Sequence, residues 1–154
     1  VFKHADVVLD TSRTYVQQLR ELVKSQIDKD NGQSLSLQFQ SFGFKHGIPL
    51  DVDFMFDVRC LPNPYWDVDL RGFNGKDEPI IEFLNKSESA QELFQDICLF
   101  LDRWVPRFDS DNRSYLTVAI GCTGGQHRSV FLTDYLARYF QEKSLNVIVR
   151  HREL

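Results

Sequence analysis

A glycine-rich segment, GCTGGQHRS, spans residues 121–129 and directly follows the apolar run 116–120. The amphipathic stretch VFLTDYLARYF continues from Val130, so the pattern predicts a strand, a tight loop and a helix. Unpaired backbone N–H groups in such a loop, and in the first turn of the helix, bind phosphate groups. Glycines let a ligand approach the backbone, and an arginine can hold a phosphate with two parallel hydrogen bonds. The candidate phosphate-binding residues are Thr123, Gly124, Gly125, Gln126, His127, Arg128 and Ser129.

Two well-known nucleotide motifs are absent from this segment. No Gly-Lys-Ser/Thr follows the glycines, and no GxGxxG occurs, so neither an NTPase P-loop nor a dinucleotide fingerprint is present. The plainer alternative is a tight strand–helix turn whose Arg128 is simply solvated.

An enzymatic alternative comes from the C-x5-R spacing of Cys122 and Arg128. Cysteine-dependent phosphatases attack phosphorus with a thiolate at a helix N-terminus, and an aspartate on a distant loop, here Asp67, protonates the leaving group. Against this, Gly121 stands where such enzymes usually have histidine, and bulky residues precede the arginine. A small buried residue at a strand end is the competing interpretation of Cys122.

Basic and aromatic residues occur in the segments that should surround this loop. They could contact phosphates and stack on bases or a sugar. The alternative is structural: Arg59 would form an ion pair with Asp57 or Asp53. Phe42 and Phe44 would then belong to the core. The basic set is Lys45, His46, Arg59, Arg71, Arg150, His151 and Arg152, and the aromatic set is Phe42, Phe44, Tyr65 and Trp66.

The segment LPNPYWD (61–67) begins a long loop rich in proline, glycine and asparagine. Its prolines stiffen the backbone. One hypothesis is a lid that closes over the phosphate loop; the alternative is a rigid segment that packs Trp66 on the core.

The order of predicted elements indicates an α/β fold, a single three-layer domain with a mostly parallel sheet. The carboxyl ends of parallel strands meet at one edge, so the loops after strands 35–42, 53–59 and 115–121 should form the binding edge. Strand 35–42 is expected to have one solvated face and strand 53–59 to be buried. The predicted strands are 6–10, 35–42, 53–59, 115–121 and 146–151. The predicted helices are 11–27, 79–85, 89–108 and 129–142, with a polar turn at 28–33.

Bulk properties limit the class of protein. The 154 residues include 42% hydrophobic residues and carry a formal net charge of −4, which suits a folded domain with at most a local nucleic-acid surface. We expect reduced cysteines and a cytoplasmic location. We expect no membrane span, because no apolar run is long enough, and no signal peptide. We also expect no metal site, because the histidines and cysteines lack the spacing of metal ligands.

The chain resembles the C-terminal domain of the RapZ/YvcJ family. The resemblance is carried by SFGFKHGIPLDVDFMFDVRCLPNPYWDVDLRGFNGKDEPIIEFL, YLTVAIGCTGGQHRSV and VRHREL. It implies that residues 34–154 are an RNA- and phosphosugar-binding domain. The opening ADVVLDTS…LREL is similar to the last strand and helix of the family's N-terminal P-loop domain, so residues 1–33 are assigned to that domain and a linker.

The resemblance also implies a function. This would be an RNase adapter that binds small regulatory RNAs, presents one to RNase E and senses glucosamine-6-phosphate, with no catalysis and no cofactor in this domain. Nucleotide would bind only the N-terminal domain, and the full-length protein would be a tetramer. High phosphosugar would release the RNA by competition for shared groups.

Site residues follow from the same resemblance. The phosphosugar site would comprise Thr123, Gly124, Gly125, His127, Arg128, Ser129 and Tyr65. The RNA-facing rim would comprise Lys45, His46, Arg71, Gln126, Arg128, Arg150, His151 and Arg152. The sequence ends at Leu154, without the basic tail of enterobacterial members, so we expect weaker RNA binding.

Overall fold

The computed structural model describes Tyr15, Leu19 and residues 35–110 and 113–154. Contacts divide the chain into two units, Val1–Ser34 and Leu35–Leu154, and the fold below is that of the second. Apart from Tyr15 and Leu19, the predicted strand 6–10, helix 11–27 and turn 28–33 lie outside the described residues, so these predictions stay open.

The described part of the chain forms one sheet of four parallel strands. The α/β class and the parallel sheet are therefore confirmed, and the arrangement is consistent with a three-layer domain. The strands are β1 (Ser36–Gly43), β2 (Phe54–Asp57), β3 (Tyr115–Cys122) and β4 (Asn146–His151), in the order β2–β3–β1–β4.

Two expectations about burial were wrong, because sheet position decides burial. β1 lies between β3 and β4, and both of its faces are covered: even Gln40 and Phe42, on the face expected to be solvated, are buried. β2 lies at an edge, so its Met55 and Asp57 are exposed although the strand was expected to be buried.

Three α-helices lie in the described residues of this unit. The helix Glu78–Asn85 has Pro79 in its first turn, as predicted, because a backbone N–H at that position would have no partner within the helix. The helices are α1 (Glu78–Asn85), α2 (Glu88–Ser110) and α3 (Arg128–Glu142). In the part of the chain that the structure describes, none of them is both long and apolar enough to cross a membrane.

The helices pack through apolar stripes. In α2, Ile97, Leu101 and Val105 recur every four residues and are buried, which places them on one face. On α3, the Phe140 ring stacks on Phe39 of β1 with centroids 5.7 Å apart. The core therefore fixes α3 against the sheet, and with it the loop that opens α3.

Strand register aligns the carboxyl ends of the sheet. Gly43, the last residue of β1, is opposite Cys122, the last residue of β3. Asp57 of β2 is opposite Gly121, and His151 of β4 is opposite Ser41. The segments that follow all four strands therefore begin at one edge, where ligands of parallel sheets bind.

Candidate phosphate-binding site

The loop Thr123–His127 joins β3 to α3 at this edge. Gly125 has a φ of +78°, in the left-handed region that favours glycine, and its N–H donates to Cys122 Sγ at 3.2 Å. A Cβ on Gly43 would lie 2.6 Å from the carbonyl carbon of Gly124. The end of β1 and the loop thus pack backbone against backbone, and glycines at both positions permit it.

Lys45 is an exposed residue whose side chain lies against the loop. It lies in a 3-10 turn, Phe44–His46, whose position is fixed because the Lys45 N–H donates to the Thr123 carbonyl at 3.2 Å. Its Nζ is 3.8 Å from the position that a Cβ on Gly124 would occupy. Thr123, the residue before Gly124, is also exposed.

Arg128 is placed differently from the expectation of a free phosphate ligand. Its side chain is buried, and Nη1 donates to the carbonyls of Arg59 and Leu61 at 2.9 and 3.0 Å. Nη2 donates to Thr123 Oγ1 at 3.2 Å, and Nε has no partner among the described residues. The guanidinium therefore joins the loop to residues 59–61.

His127 is also directed inward. Its Nε2 lies 2.7 Å from the Phe73 carbonyl, and since a carbonyl can only accept, Nε2 carries the hydrogen. Burial is the main cause that lowers the pKa of His127; the hydrogen bond to Phe73 opposes this, and the charge of Arg128 adds to it. At neutral pH the ring is uncharged and acts as a structural donor.

We call residues 59–77 the lid, because their backbone covers one side of the loop. Besides the contacts to Arg128 and His127, the Gly75 N–H donates to the Gln126 carbonyl at 2.8 Å. A Cβ on Gly75 would overlap the backbone of His127. Direct contacts thus hold this segment against the loop; that it closes over a bound phosphate stays a prediction.

The outer side of the lid carries exposed aromatic rings. Trp66 is 77% exposed and Tyr65 is 48% exposed, so the alternative that Trp66 packs on the core is wrong. Arg71 donates from Nε to the Tyr65 carbonyl at 3.0 Å and lies over the Tyr65 ring at 4.7 Å. These three side chains form a single solvent-facing cluster.

Cys122 and Ser129 lie beneath the loop. Cys122 Sγ and Ser129 Oγ are 3.1 Å apart, and both residues are buried. Ser129 is therefore not at the surface where a phosphosugar would bind. All three cysteines of the chain are free.

Arg59 adopts the structural role that was one of its two interpretations. Its Nη2 is 2.6 Å from Asp57 Oδ2, and its guanidinium lies 4.1 Å from the centre of the Phe44 ring. The hydrogen bond from Arg59 lowers the pKa of Asp57. Phe42 is fully buried, as expected of a core residue, whereas Phe44 packs edge-on against it and is only half-buried.

The residues that end the chain are mostly engaged within the protein. Arg150 is exposed in β4, but His151 lies 2.8 Å from Ser41 Oγ and 3.0 Å from Asp134 Oδ1. Arg152 donates to the carbonyls of Gly47 and His46 at 3.0 and 3.3 Å. The His46 side chain itself is exposed.

Glu153 is a site residue that the sequence reasoning missed. Its Oε2 accepts the Gly43 N–H at 3.1 Å, at the end of β1. The carboxyl-end rule could have found it, since Glu153 follows the last predicted strand by two residues. In the described ranges, no group of three or more His, Cys, Asp or Glu side chains could hold a metal ion.

The fold thus defines a parallel α/β domain with its candidate site at the carboxyl edge of the sheet. Residues 35–154 match the family described as the RapZ C-terminal domain. The chain belongs to this family, as its sequence motifs indicated.

Three bacterial relatives, each called a nucleotide-binding protein, support the assignment. The protein of Methylobacillus flagellatus is 56% identical over 95% of this chain and 52% of its own length. That of Thioalkalivibrio sulfidiphilus is 54% identical over 97% of this chain and 53% of its own. That of Nitrosococcus oceani is 51% identical over 100% and 55%. The chain spans about half the length of these curated relatives, and their names denote no enzyme.

Proposed function

We propose that this chain binds the phosphate group of an aminosugar phosphate, glucosamine-6-phosphate, at residues 123–125. The observation that supports this most is that the Lys45 ammonium group lies against Gly124, which follows the exposed residue Thr123. An ammonium group, a hydroxyl and a glycine backbone are a common set of phosphate ligands. Arg128 contributes indirectly, since its hydrogen bond fixes the Thr123 side chain.

We further propose that the backbone of a small regulatory RNA crosses the same edge. Tyr65 and Trp66 offer exposed ring faces for unpaired bases, and Arg71 adds a cation beside them. His46, Gln126 and Arg150 are exposed and complete the proposed rim. Because RNA phosphate and sugar phosphate would both use Lys45 and Thr123, each ligand should lower the affinity for the other.

In the whole protein, this binding would serve an adapter that brings the RNA to RNase E and thereby controls aminosugar synthesis. We propose that the protein acts as a homo-oligomer, a tetramer at full length. Nucleotide binding, which the relatives' names describe, would belong to the half of those proteins outside the aligned residues. The domain itself would need no cofactor.

A gel-shift titration tests the shared site. A structured small RNA is titrated with the chain at near-physiological salt, with and without glucosamine-6-phosphate. We expect K45A to weaken RNA binding and to reduce the effect of the sugar phosphate, because both ligands lose the same cation. K86A is the matched control, since Lys86 is an exposed lysine at the end of α1. An RNA that shifts equally with K45A, K86A and the unchanged chain would contradict the shared site.

A second candidate function is a cysteine-dependent phosphatase. The observation in its favour is that Cys122 Sγ accepts the Gly125 N–H and lies next to Ser129 Oγ. Against it, Cys122 is 2% exposed and Arg128 donates to two carbonyls. Hydrolysis of an aryl phosphate that C122S abolishes would support the phosphatase; no hydrolysis by the unchanged chain would dismiss it.

A further inference from the structure

A carboxylate lies against the loop proposed to bind phosphate. Glu153 Oε2 accepts the Gly43 N–H at 3.1 Å, and a Cβ on Gly125 would overlap this oxygen. The Glu153 side chain is only 9% exposed. An acidic side chain this close to an anion site repels a phosphate, so its presence requires an explanation beyond phosphate binding alone.

One oxygen of the Glu153 carboxylate has no hydrogen-bond donor among the described residues. Two carboxylate oxygens can accept about four hydrogen bonds. Among the described residues, Glu153 accepts the one from Gly43, and its nearest cation is Arg152 Nε, 3.7 Å from Oε1. The other nitrogens of that guanidinium donate to the carbonyls of Gly47 and His46. Glu153 Oε1 is not one of the buried polar atoms left without a partner in the described residues, so a donor from the solvent side can reach it.

The position of this carboxylate is fixed by its neighbours. His151 is held between Ser41 and Asp134, and the Arg152 N–H donates to the Ser41 carbonyl at 3.2 Å. Both residues preceding Glu153 are therefore anchored to β1 or α3. A side chain anchored in this way is preorganised. It can therefore bind a ligand group with a smaller loss of conformational entropy than a flexible side chain.

Opposite charges thus lie over adjacent residues of the loop. The Lys45 ammonium group is next to Gly124, and the Glu153 carboxylate is next to Gly125. The ligand that complements this pair is a zwitterion, with a phosphate toward Lys45 and a cationic group toward Glu153. The phosphate of a sugar without an amine would pair with Lys45 but would bring no cationic donor to the Glu153 carboxylate.

We propose that Glu153 is the specificity-determining residue of this site, and that it selects a phosphorylated ligand carrying an ammonium group over the corresponding hydroxyl compound. The proposal rests on the proposed function, because it assumes that a sugar phosphate binds at residues 123–125. In this proposal the ligand's amine contacts the Glu153 carboxylate. Because the Glu153 side chain is only 9% exposed, only a small donor can reach that carboxylate.

Isothermal titration calorimetry with two ligands tests the selection. Glucosamine-6-phosphate and glucose-6-phosphate differ in one amine against one hydroxyl, so the ratio of their affinities reports amine recognition. We expect the unchanged chain to prefer the aminosugar by on the order of tenfold, the value of a charged hydrogen bond. E153Q keeps an oxygen for the Gly43 N–H and removes the charge, so the ratio should fall toward one. E142Q is the matched control, since Glu142 is exposed at the far end of α3.

Thermal melts of E153Q and E142Q are recorded first, to check that both variants are folded before their binding is compared. If E153Q binds both sugars more tightly by the same factor, the carboxylate only repels phosphate and the proposal is overturned. An unchanged ratio in E153Q overturns it as well. If the unchanged chain binds neither sugar phosphate, the proposed function fails first. Equal binding of both by the unchanged chain leaves the proposed function standing and overturns selection by Glu153.

Discussion

The inner and outer parts of the candidate site differ in what their side chains contact. The inner part, Cys122, His127, Arg128 and Ser129, has the residue types that suggest catalysis or phosphate binding, yet its members are buried and bonded within the protein. The outer part, Lys45, Tyr65, Trp66, Arg71 and Thr123, is exposed. The motif GCTGGQHRS therefore chiefly determines how the loop is held, whereas neighbouring segments present most of the groups that a ligand can reach.

The largest effect on stability should come from the inner part. R128A removes the donors to the carbonyls of Arg59 and Leu61 and leaves both without a partner. We expect the free energy of unfolding to fall by about 3 kcal/mol, since each buried unsatisfied group is costly. Urea unfolding measures it, with R138A, an exposed arginine of α3, as control. Equal stability of the two variants would contradict a structural Arg128.

A second effect on stability should come from the loop backbone. G125A places a side chain at a φ of +78° and against Glu153, whereas G72A adds a methyl group in open space. We expect G125A to lower the free energy of unfolding by roughly 2 kcal/mol and G72A to change it little. Thermal or urea unfolding of the two variants makes the comparison. Similar values for both would show that the loop is not constrained.

The outer part should affect binding and leave stability unchanged. W66A removes an exposed ring, so RNA affinity should fall by about fivefold, at the lower end of base–aromatic stacking, while the unfolding midpoint stays the same. W104A is the control, since Trp104 is a partly exposed tryptophan of α2. Fluorescence anisotropy with a labelled RNA gives both affinities. A loss with W104A equal to that with W66A would remove the distinction between the lid and the rest of the surface.

The smallest effect should be a pH dependence from His127. Its pKa is lowered in the folded state from the usual 6.5, so the unfolded chain binds the proton more readily. Stability from this residue is complete above about pH 6.5 and is lost as the pH falls toward the folded pKa. Asp57 acts in a separate window, below its usual 3.8. Urea midpoints from pH 7.5 to 5 should decline more for the unchanged chain than for H127Q; parallel profiles would exclude this role.

Sequence patterns were sufficient for the elements near the site but not for their neighbours in the sheet. The apolar run before Gly121 and the amphipathic stretch after Val130 predicted β3 and α3 correctly, because their periodicity is local. Which strand is central is decided by packing between distant segments. That is why β1 was expected to be half solvated and β2 buried, the reverse of what their positions impose.

Local sequence patterns could not predict the directions of the side chains in the site either. Arg128 is directed to the carbonyls of Arg59 and Leu61, 69 and 67 residues away along the chain, so no spacing within the loop reveals it. Lys45 could be placed at the loop from sequence, because the carboxyl ends of parallel strands share an edge. The same rule applied to the last strand would have included Glu153.

The most direct test of the distinction between the two parts is a nuclear magnetic resonance titration of the isotopically labelled chain with glucosamine-6-phosphate. The largest amide shifts should fall at Lys45, Thr123 and Gly124, with little change at Val130 or along α3. That result would place the ligand on the exposed residues over a preformed loop. Shifts centred instead on Ser129 and α3, or no shifts at all, would contradict this account.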